Sequence, residues 1–147
     1  MGNLSRSANL GLDSFEKEPL ELRPFSTEEE LQITINAVYK QVLGNEYIME
    51  SDRLASGEAL LRNGDLTVRG FVRLVAQSSL YQSLFFHSSP QYRFIELNFK
   101  HLLGRAPQEQ AEISEHVHIY HEQGYETEIN SYIDSEEYIN NFGEDIV

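Results

Sequence analysis

The sequence of 147 residues contains no cysteine and only four prolines. Without cysteine the chain can form no disulfide, no thiolate metal site, no cysteine nucleophile and no thioether bond to a cofactor. No apolar run approaches the roughly 20 residues that span a bilayer, and the N-terminus lacks the apolar core of a signal peptide. We therefore expect a soluble chain that carries no cofactor attached through a thioether.

The short motifs of several enzyme classes are also missing. No Gly-rich phosphate loop of the GxxxxGK[ST] or GxGxxG type occurs, and no serine lies in a GxSxG elbow. The stretch Asn63-Gly64-Asp65 is a turn, because the acidic spacing of a calcium loop is absent around it. The sequence thus predicts no catalytic residue, no metal and no cofactor.

Positive charge is scarce and unevenly placed. The net charge of −13 argues against nucleic acid as a partner, because neutralising phosphates requires a basic surface. Residues 53–105 hold seven of the eleven basic residues, whereas residues 106–147 hold none and carry eleven acidic ones. This middle section is suited to an acidic partner, and the alternative is that the charges are simply spread over a solvated surface.

Apolar residues, by contrast, are sufficient for one folded domain. They make up 40% of the chain, and sixteen residues are Phe or Tyr. Residues 1–25 show no periodicity and are predicted to form an extended N-terminal arm before a helical domain at residues 26–147. In that domain apolar residues recur at helical spacing, and no run alternates as a strand would. The fold class predicted is all-α, a compact bundle of six to eight helices.

Several residues predict where these helices begin and end. Ser26 and Glu29 fit a capping box, Thr67 fits an N-cap, and Pro90 and Pro107 each fit a first helical position. A second helix is expected from Asp52 to Asn63, and a short one over Tyr81 to Phe86. Glycines follow four of the apolar stripes, as expected at helix C-termini, at Gly44, Gly64, Gly104 and Gly124.

The helical plan occurs twice. KQVLGN at residues 40–45 returns as KHLLGR at residues 100–105, and the match resumes at an offset of 57 residues, where Ser78 and Tyr81 correspond to Ser135 and Tyr138. A unit of this kind cannot bury its apolar face alone. We therefore expect two related halves, packed face to face around one core.

One histidine-rich stretch raises the alternative of metal chemistry. On a helix, His118, His121 and Glu122 would share one face and present two imidazoles and a carboxylate to zinc. Their order does not match HExxH, and a solvated surface bearing histidines is the other interpretation. A metal-dependent hydrolase is accordingly a minor hypothesis.

The arginines of the middle section differ in their local neighbours. Arg62 follows Glu58 and Arg69 follows Asp65 in the i,i+4 order that favours pairing along a helix. Arg73 has no such neighbour and is expected to find a partner elsewhere. Gly70, inside the same predicted helix, indicates either the close approach of another backbone or mere drift.

A resemblance to a known family is carried by motifs that run collinearly from about residue 20 to residue 145. The sequence resembles the phycobilisome linker domain, and more loosely a group of bacterial helical domains with a repeated LGR motif. The motifs are AVYKQVL (37–43), LLRNGDLTVR (60–69), the Phe85-Phe86 pair, RFIELNFKHLLGRAP (93–107) and SYIDS (131–135) with the Asn141-Phe142-Gly143 that follows.

The resemblance implies a non-enzymatic linker of the light-harvesting antenna. Such domains lie in the central cavity of phycobiliprotein trimers or hexamers, organise their assembly and tune energy transfer. The implied location is peripheral, on the cytoplasmic or plastid-stromal face of the thylakoid membrane. The net charge of −13 and the lack of lysine in Tyr81 to Phe85 depart from rod linkers. Together with chain ends that look like those of one excised repeat, these departures favour a core-membrane linker module, with a rod linker second.

The resemblance also implies that this chain contacts an acidic ring. Allophycocyanin is the expected partner, and phycocyanin is the second choice. Self-association is a further possibility, and a generic helical binding module unrelated to the antenna is the main rival hypothesis. The residues predicted to contact the partner are the cations Arg53, Arg62, Arg69, Arg73, Arg93 and Arg105, and the aromatic residues Tyr47, Tyr81, Phe85 and Phe86.

Overall fold

The computed structural model describes residues 20–23, 26–44 and 49–147, and in these ranges all regular secondary structure is helical. The only β pairing among them is one antiparallel bridge. Eight helices follow in order, so the predicted all-α class is confirmed. They are α1 (Glu28–Leu43), α2 (Ala55–Arg62), α3 (Val68–Ala76), α4 (Ser79–Tyr81, continued by a π-helical turn at Gln82–Phe86), α5 (Gln91–Asn98, continued by a π-helical turn at Phe99–Leu103), α6 (Gln110–Gln123), α7 (Tyr125–Ile133) and α8 (Glu136–Asn141).

The start of α1 is capped one residue later than the sequence predicted. The Thr27 hydroxyl accepts a hydrogen bond from Glu30 N, and Thr27 N donates to Glu30 Oε1 at 2.8 Å. This is a capping box, but it uses Thr27 and Glu30 in place of Ser26 and Glu29. Ser26 is engaged outside the helix, where its hydroxyl donates to Arg23 O.

Other predicted helix boundaries hold or shift by identifiable causes. The Thr67 side chain accepts from Gly70 N, which confirms the N-cap of α3. The region predicted as one helix from Asp52 divides into a 3₁₀ turn at Glu50–Asp52 and helix α2. Pro90 is the N-cap of α5 rather than its first residue.

Pro107 does not begin α6, which starts at Gln110. The Glu112 carboxylate accepts a hydrogen bond from Gln108 N and also binds Arg105. These contacts hold residues 105–108 against the first turn of α6. The helix therefore begins after this segment, at Gln110.

The two halves predicted from the repeat share their local geometry. Gly44 and Gly104 both end a helix in the left-handed conformation, with φ of 77° and 76°. Ser78 accepts from Tyr81 N as Ser135 accepts from Tyr138 N. Each tyrosine then packs against a phenylalanine four residues later, with ring centroids 4.8 Å apart in the first half and 5.0 Å in the second.

The halves pack on each other through α3 and α7 with an approximate two-fold relationship. The offset of 57 residues equates Arg73 with Asn130 and Gln77 with Asp134. Arg73 binds Asp134, and Gln77 Nε2 donates to Asn130 Oδ1 at 2.9 Å, so each contact is the counterpart of the other. This reciprocity is that of an isologous dimer interface, here formed within one chain. The predicted face-to-face packing around one core is thereby confirmed.

The core lies between the two halves, and most of its side chains are aliphatic or aromatic. Tyr39 meets Phe71 edge-to-face at 5.6 Å, and Phe99 meets Tyr132 edge-to-face at 5.2 Å. All four side chains are at most 2% exposed. Burying such rings contributes a large share of the hydrophobic free energy of folding.

The two ends of the described chain meet. Leu22 N donates to Asp145 O and Val147 N donates to Leu20 O, around the bridge between Glu21 and Ile146. Residues 20–23 of the predicted arm are therefore extended and attached to the C-terminal residues. The rest of the arm, residues 1–19, 24 and 25, lies outside the described residues. In the described ranges no helix is long and apolar enough to cross a bilayer.

Candidate partner-binding surface

Arg53 is engaged within its own half of the molecule. Its guanidinium donates two hydrogen bonds of 3.0 Å to the Glu58 carboxylate and lies 5.6 Å from the centroid of the Tyr39 ring. The Tyr39 hydroxyl donates to the same carboxylate at 2.6 Å. Burial, followed by the bond to Glu58, raises the pKa of Tyr39. Arg53 thus neutralises a buried carboxylate.

Arg62 and Arg69 are paired, but not with the neighbours expected from helical spacing. Arg62 forms a two-pronged ion pair with Glu28 of α1, with contacts of 3.0 to 3.2 Å, and leaves Glu58 to Arg53. Arg69 binds Asp134 at 2.6 Å and Glu144 at 2.8 Å, and leaves Asp65. The local i,i+4 interpretation was wrong because carboxylates from distant parts of the chain bind both arginines.

Arg73 finds a distant partner, as predicted. Its Nη2 donates to Asp134 Oδ1 at 2.7 Å, and its Nη1 donates to the Asn130 side chain across the α3–α7 contact. Arg73 and then Arg69 hold the pKa of the Asp134 carboxyl below its usual value. The backbone approach considered for nearby Gly70 is not found, because the atoms nearest to an added Cβ belong to side chains, the closest being Leu66 Cδ1 at 2.6 Å.

Arg105 links three segments in the second half. It binds Glu137 at 2.8 Å and Glu112 at 2.7 Å, and its guanidinium lies 5.1 Å from the centroid of the Phe99 ring. Hydrogen bonds from Arg105, and then from Gln108 N, lower the pKa of Glu112 to about 2. We call Arg105, Glu112 and Glu137 the Arg105 cluster. Its geometry is that of a structural ion-pair network.

Arg93 is the exception among the six arginines. Its side chain is 59% exposed, and among the described residues its one ion pair is with Glu96, at 3.5 Å. Lys100, two turns further along α5, is also exposed and has no carboxylate within ion-pair distance in the described ranges. The isolated chain does not test whether the six arginines contact a partner, so that stays a prediction. In the folded chain, however, five of them already hold carboxylates.

The aromatic residues predicted to contact the partner also differ in their exposure. Tyr81 is completely buried, whereas Phe85 and Phe86 are partly exposed. Phe85 packs on His101 with ring centroids 4.7 Å apart, and Phe86 packs on Phe94 at 5.0 Å. Tyr81 therefore acts as a core residue in this fold. Tyr47 lies outside the described residues.

The histidines considered for zinc do not form a site. His118, His121 and Glu122 are all exposed on α6. In the part of the chain that the structure describes, no group of three or more His, Asp or Glu side chains could hold a metal ion. The solvated-surface interpretation fits these three residues.

The sequence interpretation missed a buried polar group, which we call the Glu128 cluster: Asn98, His116, Glu128 and Tyr132. Asn98 Nδ2 donates to Glu128 Oε1 at 3.2 Å, and His116 Nδ1 lies 3.6 Å from Glu128 Oε2. The His116 ring stacks on Tyr132 with centroids 4.2 Å apart. The available signal was the register of α7, which places Glu128 on the same face as Tyr132.

Burial dominates the electrostatics of the Glu128 cluster. Glu128 is 0% exposed, and its desolvation raises the pKa of the carboxyl to about 7. Burial likewise lowers the pKa of His116 and raises that of Tyr132. Neither Glu128 Oε2 nor the Tyr132 hydroxyl has a hydrogen bond of standard geometry among the described residues. Such a cluster is costly to keep inside a core.

Asn98 joins the Glu128 cluster to a second buried group. The Tyr81 hydroxyl donates to Asn98 Oδ1 at 2.7 Å and lies 3.2 Å from His101 Nδ1. Because that hydroxyl hydrogen is used on Asn98, the contact with His101 requires a protonated Nδ1. Burial, then the charges of Lys100 and Arg93, lower the pKa of His101 to about 4, so its ring is neutral near pH 7.

The comparison with known proteins identifies one family. A family model, the Phycobilisome Linker polypeptide, matches residues 26–147. A Synechocystis sp. linker polypeptide described as phycocyanin-associated, rod 2, is 56% identical over all of this chain, and a phycocyanin-associated rod linker of Mastigocladus laminosus is 55% identical over the same extent. A Microchaete diplosiphon rod linker described as phycoerythrin-associated is 56% identical over 87% of the chain.

The protein belongs to the phycobilisome linker polypeptide family. The chain spans about half the length of these curated relatives, 54% and 52% of the first two. Because these relatives are rod linkers, the expectation of a core-membrane linker module, with allophycocyanin as its main partner, is not supported. The departures from rod linkers noted in the sequence were given too much weight, because more than half of the residues are identical to those of rod linkers along the whole chain.

Proposed function

We propose that this chain is a rod linker domain that lies in the central cavity of a phycocyanin ring. There it organises the assembly of the rod and tunes energy transfer between bilins. It is a structural protein and performs no reaction. It works peripherally at the cytoplasmic or stromal face of the thylakoid membrane, within the phycobilisome.

A single observation carries this proposal, namely the identity of 55–56% over the whole chain with relatives described as phycocyanin-associated rod linkers. A phycoerythrin ring is the second candidate partner, because a relative with the same identity is described as phycoerythrin-associated. The domain that binds the ring comprises residues 26–147, the range matched by the family model.

The internal structure supports a rigid role. Ion pairs join α1 to α2, α3 to α7, and α6 to α8, through Arg62, Arg73 and Arg105 respectively. Because these ion pairs already fix the helices, the domain loses little conformational entropy when it binds a preformed ring. Rigid occupants of this kind also hold nearby chromophores in fixed surroundings.

Gel filtration with absorbance and emission spectra tests this function. The chain would be mixed separately with purified phycocyanin, phycoerythrin and allophycocyanin at low and moderate salt. We expect co-elution with phycocyanin, a shifted emission maximum, and weaker binding to allophycocyanin. A curated rod linker serves as the positive control.

If the control binds phycocyanin and this chain binds no phycobiliprotein, the rod linker function is wrong and a generic helical binding module is the better interpretation. Preferential binding to phycoerythrin would retain the linker role and replace the partner. Preferential binding to allophycocyanin would return the chain to the phycobilisome core.

A further inference from the structure

One exposed basic surface stands apart from the ion-pair networks. It lies on α5 and comprises Tyr92, Arg93, Glu96 and Lys100, which we call the Arg93 face. These residues occupy positions i, i+1, i+4 and i+8 of one continuous helix and therefore share a side. Tyr92 is 49% exposed and Arg93 59% exposed.

Both cations of this face act electrostatically on the same histidine, His101, which directly follows Lys100 in the chain. After burial, the charges of Lys100 and then Arg93 lower the pKa of His101. The ring of His101 is covered by partly exposed Phe85, with centroids 4.7 Å apart. The cations thus border an aromatic surface, and Tyr92 extends it with an exposed ring.

The backbone at this place is unusual. Phe85 belongs to the π-helical turn that ends α4, and Lys100 and His101 belong to the π-helical turn that ends α5. Single π-helical turns are rare and occur often at functional sites. Here two of them present residues to the same surface.

The other arginines offer less to an acidic partner. Arg53, Arg69, Arg73 and Arg105 have side chains 19–27% exposed, and each binds a carboxylate within 3.0 Å. A partner would have to compete with these charge-assisted hydrogen bonds for each guanidinium. Arg93 has only a contact of 3.5 Å to release.

We propose that the Arg93 face docks on an acidic protein surface, with Arg93 and Lys100 binding carboxylates and Tyr92 supplying an apolar contact. This rests on the proposed function, under which the acidic surface is the inner wall of the phycobiliprotein ring. Elsewhere the negative charge of the chain repels such a wall, so the Arg93 face also sets the orientation of the domain.

Charge-reversal variants test the docking surface. Arg93→Glu and the double variant Arg93→Glu/Lys100→Glu would be titrated with phycocyanin rings, and binding followed by the bilin emission. Arg23→Glu is the matched control, because Arg23 is 77% exposed and its substitution changes the net charge by the same amount as Arg93→Glu. Thermal unfolding of each variant checks that the fold is intact.

We expect the double variant to bind at least tenfold more weakly than the wild type, with a smaller salt dependence. Arg93→Glu should lie between them, and Arg23→Glu should remain within about twofold of the wild type. Tyr92→Ala should weaken binding without altering the salt dependence, because it removes no charge.

Two failures can be told apart. If the wild type binds phycocyanin and the folded double variant binds equally well, the docking surface is wrong and the linker function stands. Equal weakening by Arg23→Glu would likewise overturn the docking surface in favour of a general charge effect. If the wild type binds no phycobiliprotein, the proposed function fails, and the inference fails with it.

Discussion

The two halves of the molecule have the same backbone plan but different core chemistry. Phe71 in α3 corresponds to Glu128 in α7, and Val38 in α1 corresponds to Asn98 in α5. All four positions are 0% exposed. One half fills them with apolar side chains and the other with a carboxylate bonded to an amide. The fold therefore accommodates a polar pair in a core position, although only one of the two Glu128 carboxylate oxygens is hydrogen-bonded to Asn98.

The halves also place an arginine over the same ring position. Arg53 lies over Tyr39 and Arg105 lies over Phe99, at 5.6 and 5.1 Å from the ring centroids, and each arginine binds glutamate. The arginines come from different points of the repeat, so this likeness belongs to the packing and not to the aligned sequence. Caps, glycines and ring positions are the features that the halves keep in common.

The largest effect is expected from opening the apolar core of the first half. Phe71→Ala should lower the free energy of unfolding by about 3–5 kcal/mol, because it removes a fully buried ring and leaves a cavity beside Tyr39. Chemical denaturation measures the loss. Leu74→Ala is the control on the same helix; Leu74 is 39% exposed and should cost less than about 1 kcal/mol. Similar losses for both would contradict a core centred on Phe71.

The second prediction compares the arginines. Arg105→Met should cost about 2–3 kcal/mol, because two carboxylates lose their charged hydrogen bonds and face each other unpaired. Arg53→Met should have a comparable effect in the first half, where Glu58 and Tyr39 lose their partner. Denaturation of both variants at pH 7 gives the measurement. A negligible loss for Arg105→Met would show that its network adds nothing to stability.

The wild type carries a pH dependence from the same network. Since the folded-state pKa of Glu112 is about 2, below its usual value of 4.5, the stability it contributes is present above pH 4.5 and is lost as the pH falls toward 2. Arg105→Met should reduce that acid sensitivity, and the share due to the hydrogen bond from Gln108 N should remain.

The third prediction concerns the polar core of the second half. Glu128→Gln should raise the free energy of unfolding at pH 8 by about 1–2 kcal/mol, because the amide keeps the acceptor for Asn98 without a buried charge. The wild-type pKa of about 7 lies above the usual 4.5, so the penalty is absent below pH 4.5, grows to pH 7 and is constant beyond. Unfolding measured from pH 4 to pH 8 gives the profile. A constant difference between variant and wild type across this range would contradict the buried ionisation.

The smallest effects test the likeness of the halves. Ser78→Ala and Ser135→Ala each remove an N-cap hydrogen bond, of 3.2 and 3.1 Å, and should each cost about 1 kcal/mol. The double variant should show the sum, because the two caps share no partner. Thermal unfolding of the three variants is sufficient. If only one of the two substitutions lowered the stability, the two caps would share their geometry but not their contribution to the free energy of unfolding.

Sequence reasoning recovered the features that depend on local pattern. The all-α class, the repeat, the Thr67 cap and the glycine helix ends follow from periodicity and from conformations that few residues adopt. The start of α6 was missed because it depends on Glu112 binding Gln108 N and Arg105. No sequence pattern predicts these contacts of Glu112.

The internal partners of the candidate contact residues were harder to predict than the fold, and their contact with another protein stays a prediction. Spacing along a helix paired Arg62 with Glu58, whereas Arg62 binds Glu28, which lies 34 residues away. The charge count of the middle section was correct, but it could not separate Arg93 from arginines that hold internal carboxylates. Glu128 was overlooked because a glutamate in a helix is ordinarily a surface residue.

The most direct test of the central claim is the stoichiometry of the complex with phycocyanin, measured by sedimentation velocity with detection at both protein and bilin wavelengths. If the domain lies in the central cavity, as we propose, the complex should saturate at one chain per ring, because each ring has one central axis. Saturation at one chain per repeating subunit would place the chain on the outer surface and contradict the account, as would independent sedimentation of chain and ring.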